Sequence, residues 1–191
     1  MRLRIVTAAL AALVAVGCIG KKIPYSELEP ARPRDYRFEQ KYTEVEDVRI
    51  SYIDEGPREA PVLLFIHGLG GALDNWDYNI PYFREKYRCL AIDMPGFGNS
   101  EQDDDFPYTL EWYTDIVAAF LDKMGVQRAT LIGNSMGGHA AAYTAVRHPE
   151  VVERLVLVDA SGTFGPRGVR EKLLAHFPKL AEKIVLRTTG K

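Results

Sequence analysis

Pro61–Ile66, Cys89–Ile92, Ala129–Ile132 and Leu155–Val158 are apolar runs without alternation of apolar and charged residues. A strand with one face in water alternates apolar and polar residues, whereas a run without alternation is covered on both faces, as in a parallel sheet. Gln40–Val45 and Val48–Asp54 are shorter β-prone segments separated by acidic residues, and they read as an antiparallel pair closed by Glu55-Gly56-Pro57. Helical segments lie between the continuous runs. In the clearest, Leu110–Met124, the residues Leu110, Tyr113, Val117, Phe120, Leu121 and Met124 share one face, Thr109 is placed to cap the start, and Gly125 ends it. Alternating strands and helices joined by short loops predict right-handed βαβ crossovers and an α/β fold with a doubly wound, mostly parallel sheet.

The N-terminus has a different pattern. Arg2 and Arg4 precede an apolar run from Ile5 to Ile19, which gives residues 1–17 the form of an export signal. The run is too short to span a bilayer comfortably. It ends in Ala15-Val16-Gly17-Cys18, which resembles a bacterial lipoprotein signal whose cysteine is lipidated. That resemblance implies export to the bacterial cell envelope and a membrane partner reached through a lipid on Cys18; an ordinary cleaved signal and an uncleaved anchor are the other readings. Residues 18–38, with Pro24, Pro30 and Pro33 among charged side chains, read as a linker ahead of a domain at 39–162.

Composition narrows the possible partners. A formal net charge of -2, with both signs mixed along the chain, provides no basic stripe for a nucleic acid. The two cysteines, Cys18 and Cys89, occupy a leader and a predicted strand, so a disulfide between them is not expected. Asp103-Asp104-Asp105 lacks the further ligands that a metal site needs and reads as a solvated loop.

Chemistry concentrates at the ends of the predicted strands. Gly133-Asn134-Ser135-Met136-Gly137 is a G-x-S-x-G directly after one strand and directly before a helical run. In that context the serine occupies a sharp strand-to-helix turn that presents its hydroxyl as a nucleophile, with the helix N-terminus beside it. His67-Gly68-Leu69-Gly70-Gly71 follows the first buried strand, and Asp93-Met94-Pro95-Gly96-Phe97-Gly98-Asn99-Ser100 follows the next.

These three motifs together resemble the α/β-hydrolase family over about Gln40 to Gly162, and the span covers six of that family's eight core strands. The resemblance implies that Ser135 is the catalytic nucleophile and that the backbone N–H groups of Leu69 and Met136 form the oxyanion hole. It gives His67 a loop-shaping role, with action as a base the lesser alternative, and it requires no metal or organic cofactor. Asp93 reads as a loop organiser. Trp76 and Phe97 are either walls of an acyl pocket or simply core. The family's catalytic histidine follows the eighth strand and its usual acid follows the seventh, so both fall beyond this chain, and the histidine is unassigned. His139, four residues past Ser135, approaches from the wrong side for the family's base, and His148 and His176 are not placed for the role. Asp159, at the end of the sixth strand, is the candidate acid or else another loop-organising carboxylate. Residues 163–191 correspond to the start of a helical cap, which suggests a truncated form of a longer enzyme.

The functional expectation is a serine hydrolase that cleaves an ester or similar acyl bond of a small apolar substrate through an acyl-enzyme. C–C bond hydrolysis of a diketone is the alternative within the same fold, since Gly133-Asn134-Ser135-Met136-Gly137-Gly138 also resembles that group. A serine at this position argues against haloalkane dehalogenase and epoxide hydrolase chemistry, which use aspartate there. A non-catalytic, membrane-tethered binding module is the reading from a different class.

Overall fold

The computed structural model describes residues 34–161. The expected export signal, Cys18, the linker up to Pro33, His176 and the cap segment at 163–191 lie outside the described residues.

Six strands form one sheet: β1 (Lys41–Val45), β2 (Val48–Glu55), β3 (Val62–Ile66), β4 (Arg88–Ile92), β5 (Ala129–Asn134) and β6 (Val152–Val158). Their spatial order is β1-β2-β4-β3-β5-β6. β3, β4, β5 and β6 run parallel, whereas β1 pairs antiparallel with β2 and β2 antiparallel with β4. The sheet is therefore mostly parallel and doubly wound, as the continuous apolar runs predict.

The first hairpin turns at the two acidic residues that separate its predicted strands. Val45 pairs with Val48, so Glu46 and Asp47 close the hairpin, with φ of 49° and 62°. A two-residue hairpin of this kind needs left-handed backbone at both central positions, which aspartate adopts more readily than most residues. Gly56-Pro57 follows the end of β2 and begins the passage to β3, and β4 lies between those two strands.

Alternate residues of the central strands feed two different cores. Leu64, Ile66, Leu90, Ile92, Leu131, Leu155 and Leu157 face α2 (Leu110–Lys123) and α3 (Met136–Arg147). Leu63, Phe65, Cys89, Ala91 and Ile132 face Leu73, Trp76 and Ile80, which belong to a 3-10 turn (Leu73–Trp76) and to the short α1 (Ile80–Phe83). Each fully buried side chain of this size contributes about 2 kcal/mol. α2 begins and ends as expected: Thr109 Oγ1 accepts the Trp112 N–H at 3.2 Å, and Gly125 follows with φ of 68°.

A buried ion pair lies at the opposite end of the sheet from the motifs. Arg88 Nε and Nη2 donate to the two Asp54 oxygens at 2.9 and 2.8 Å, and the side chains are only 5% and 15% exposed. Burial raises the Asp54 carboxyl pKa, but the hydrogen bonds and charge of Arg88 outweigh it and hold the group below its ordinary value of 3.8. A carboxylate depressed in the folded state stabilises the fold above its unfolded pKa, and this contribution is lost as pH falls through the folded value. Arg88→Met should therefore cost about 3 kcal/mol at neutral pH by leaving Asp54 buried and unpaired. In urea titrations the deficit should narrow as the pH is taken below the ordinary carboxylate value.

Candidate active site

The pairing register brings the motifs to one rim. Ile66 lies opposite both Ile92 and Gly133, and Asn134 lies opposite Val158, so β3, β4, β5 and β6 all end at the same edge of the sheet. The residues that follow them are His67, Asp93, Ser135 and Asp159. In open parallel sheets, the crevice outside the carboxyl ends of the strands is where ligands bind.

Ser135 joins β5 to α3 with φ of 50° and ψ of -114°, a conformation that L-residues rarely adopt. Its N–H donates to Val158 O at 3.0 Å, and its carbonyl accepts from His139 N–H at 3.1 Å and Ser161 N–H at 3.0 Å. The strained backbone is thus held by β6 on one side and by its own helix on the other. The flanking glycines make this possible through close approach. A Cβ on Gly137 would lie 2.3 Å from the carbonyl oxygens of Ile66 and His67, and one on Gly133 would lie 2.3 Å from Gly137 O. With Gly138, Ala140, Ala141 and Ala142 also buried, α3 settles directly on the sheet. As the first helical residue, Met136 has an N–H with no intrahelical partner, and it lies at the positive end of the helix dipole.

The loop after β3 runs beside Ser135, since a Cβ on Gly68 would lie 3.2 Å from the Ser135 Cβ. Gly71 N–H donates to Gly68 O at 3.0 Å, closing a turn that leaves the Leu69 N–H outside its hydrogen bond. Leu69 is exposed at the rim. His67 is fully buried. Its Nδ1 meets Gly68 O at 2.7 Å, and its Nε2 accepts from Met94 N–H at 3.0 Å, which assigns the proton to Nδ1. Burial lowers its pKa. Both ring nitrogens are occupied by backbone, so His67 joins two loops and has no nitrogen left to take a proton from Ser135.

Asp93 is also fully buried. Its Oδ1 accepts from Leu73 N–H at 2.9 Å, and its Oδ2 accepts from Asn99 N–H at 2.9 Å and from Tyr36 O–H at 2.7 Å. Gly98 makes room for it, because any Cβ there would stand about 2.1 Å from the carboxyl carbon. Ser100 Oγ donates to Asp93 O at 2.6 Å and accepts from Ser51 N–H at 2.8 Å, tying the loop to β2.

The remaining candidates separate cleanly. Asp159 is exposed, has φ of 45°, and lies between two residues, Val158 and Ser161, that are bonded to the Ser135 backbone. His139 is half-buried in α3, and burial lowers its pKa. His148 caps the end of α3, where its Nε2 meets Asp115 Oδ1 at 2.7 Å beside Arg147. Among the described residues no imidazole is hydrogen-bonded to Ser135. Trp76 is core, with its ring centroid 5.2 Å from that of Phe65, and Phe97 packs edge-on against His67 at 5.5 Å. Cys89 is buried and its thiol pKa is pushed up to about 12, which makes it an inert core residue.

The sequence of residues 61–190 matches the family model of the α/β hydrolase fold. The chain belongs to the α/β-hydrolase family. It is 40% identical over 120 residues to a bifunctional esterase/perhydrolase of Acinetobacter calcoaceticus, covering 62% of this chain and 43% of that protein. It is 39% identical over 107 residues to a 2-hydroxymuconate semialdehyde hydrolase of Pseudomonas sp. (strain CF600), covering 54% of this chain and 38% of that one. The crystal structure of a membrane phospholipase A superposes with a TM-score of 0.65 at 32% identity, over 80% of this chain and 54% of the other. The chain thus spans about half, or less, of the length of these relatives.

Two residues of this α/β-hydrolase site were not found from the sequence. Tyr36 was read as linker, although its hydroxyl reaches Asp93, 57 positions away. Asn134 was read only as the variable position before the serine, yet its Nδ2 donates to Val158 O at 3.2 Å and its Oδ1 lies against Gly68.

The backbone of Ser135 is the mirror image of a common β-region conformation and is freely open only to glycine. Ser135→Gly should raise stability by about 1 kcal/mol through strain relief, read as a higher midpoint in urea. Gly137→Ala should lower it by about 3 kcal/mol through overpacking against β3.

Proposed function

We propose that the protein is a serine hydrolase that cleaves an ester or similar acyl bond of a small, apolar substrate. The observation that carries this reading is Ser135 at φ 50°, held between β5 and α3 with the Gly68 loop against it. In the proposed reaction Ser135 Oγ bonds to the substrate carbonyl carbon, and its proton passes to an imidazole from outside the described residues. The oxyanion accepts hydrogen bonds from the N–H groups of Leu69 and Met136. Collapse expels the alcohol, which takes the proton back from the imidazole, and water then releases the acid by the same steps in reverse roles. The acid that orients the imidazole is likewise proposed to come from outside the described residues, with Asp159 the lesser candidate. The esterase named among the relatives supports this reading.

Hydrolysis of a C–C bond in a diketone is the second reading. It is favoured by the run Gly133-Asn134-Ser135-Met136-Gly137-Gly138 and by the semialdehyde hydrolase among the relatives. A further proposal, resting on the sequence alone, is that Cys18 carries a lipid and holds the protein on a membrane of the bacterial cell envelope. Cys18→Ser should then shift the protein from the membrane fraction to the soluble fraction; unchanged partition would overturn that proposal.

A fluorophosphonate probe should label the wild-type protein on the peptide containing Ser135. Ser135→Ala should abolish labelling and lower hydrolysis of a short-chain nitrophenyl ester at least about 1,000-fold. Ester turnover that survived this substitution would refute the serine mechanism. Faster turnover of a vinylogous diketone than of the ester would favour the second reading, and a protein that neither labels nor hydrolyses would point to a binding module.

A further inference from the structure

Residues 34–38 bond to the loop after β4 and to the segment Asp74–Asp77 after β3. Arg34 N–H donates to Asn99 Oδ1 at 2.8 Å, and Asn99 Nδ2 donates to Arg34 O at 2.9 Å, so the carboxamide pairs with this backbone as a neighbouring strand would. Arg34 Nη1 reaches Asp74 Oδ2 at 3.1 Å, and Arg37 Nη1 donates to Asp77 O at 3.2 Å. Between them, Tyr36 O–H donates to Asp93 Oδ2 at 2.7 Å. Tyr36 and Phe38 turn inward and pack on the second core, while Asp35, Arg37 and Glu39 face outward. The guanidinium groups of Arg37 and Arg84 lie 5.7 and 5.6 Å from the centre of the Phe38 ring.

The Tyr36 bond ends on the carboxylate of Asp93, where a single group serves three segments. The oxygen that takes the Tyr36 hydroxyl also takes the Asn99 N–H, and the other takes the N–H of Leu73. Leu73 opens the 3-10 turn that ends the Gly68–Gly71 loop. The Ala72 N–H is bonded to Asn75 Oδ1 at 3.1 Å within that same turn, so the anchor at Leu73 fixes the downstream end of the segment carrying the Leu69 N–H. Burial and the neighbouring Asp93 charge raise the Tyr36 pKa, so the phenol remains a donor across the neutral range.

We propose that residues Arg34 to Phe38 form a strap that sets the loop beside Ser135, with Tyr36 a positioning residue that acts through Asp93 and Leu73 on the Leu69 N–H. Its catalytic consequence rests on the serine-hydrolase reading, in which that N–H stabilises the oxyanion. A donor that matters only when the oxyanion forms affects kcat and leaves KM unchanged when it is displaced. A residue contributing only to packing lowers stability and leaves both constants alone.

The test uses the full chain with Tyr36→Phe, which keeps the ring and removes only the hydroxyl, and Asn99→Ala, which removes the pairing with Arg34. In Tyr36→Phe, amide hydrogen exchange at Leu73 and Asn99 should quicken about tenfold, as expected when a hydrogen bond to a charged acceptor is lost. Exchange at Leu64 and Leu131 in the sheet should not change. Ester kcat should fall about tenfold with KM unchanged. Asn99→Ala should likewise quicken exchange at Leu73. Unchanged exchange at Leu73 in both variants would overturn the strap. Faster exchange with unaltered kcat would overturn the positioning role. If the wild-type chain hydrolyses no ester, the catalytic reading fails by itself, and exchange at Leu73 alone then supports or overturns the strap.

Discussion

The carboxylate of Asp93 is buried at the end of β4 and accepts hydrogen bonds from Tyr36, Leu73 and Asn99. A buried carboxylate is tolerated only when such donors replace the water it has lost, and removing any one of them leaves part of that cost unmet. The need for donors therefore works as a geometric constraint. It pulls the segment before β1 onto the loop after β3 and the loop after β4, which the pairing of β3 with β4 already places side by side. Gly98 and Ser100 belong to the same arrangement: one leaves space for the carboxyl group, and the other fixes its backbone to β2.

Close packing supplies the second constraint. α3 approaches the sheet through glycines and alanines, and the carbonyls of Ile66 and His67 occupy the space where a Cβ of residue 137 would lie. That approach, together with the hydrogen bonds that Ser135 N–H donates to Val158 and its carbonyl accepts from Ser161, keeps Ser135 in a conformation it would not adopt alone. The strain is local, and the packing around it offsets the cost. In the proposed reaction this turn puts the hydroxyl at the rim and the first N–H groups of α3 beside it.

The histidines illustrate how environment decides a role. His67 lies in the motif loop nearest Ser135, yet both its nitrogens are bonded to backbone, and burial disfavours its charged form. His148 has a carboxylate partner, but that pair lies at the far end of α3. Proximity in sequence to the serine carries no information about which imidazole takes its proton, because the base of such a site is recruited through the fold.

The sequence by itself determined the α/β class, the strands and the two long helices. The apolar runs at β3 and β4 became strands buried on both faces, and Thr109 and Gly125 mark the ends of α2 through local chemistry. It also located the Ser135 turn, since strand, glycines and helix are adjacent along the chain. It also placed the first antiparallel pair, whose strands meet at Val45 and Val48 with Glu46-Asp47 between them. Only the tertiary structure decided that His67 is sequestered, that Asn134 braces β6, and that Tyr36 reaches Asp93. These contacts join residues from about 24 to 57 positions apart. Their partners are fixed by strand order and register, which local propensity does not encode.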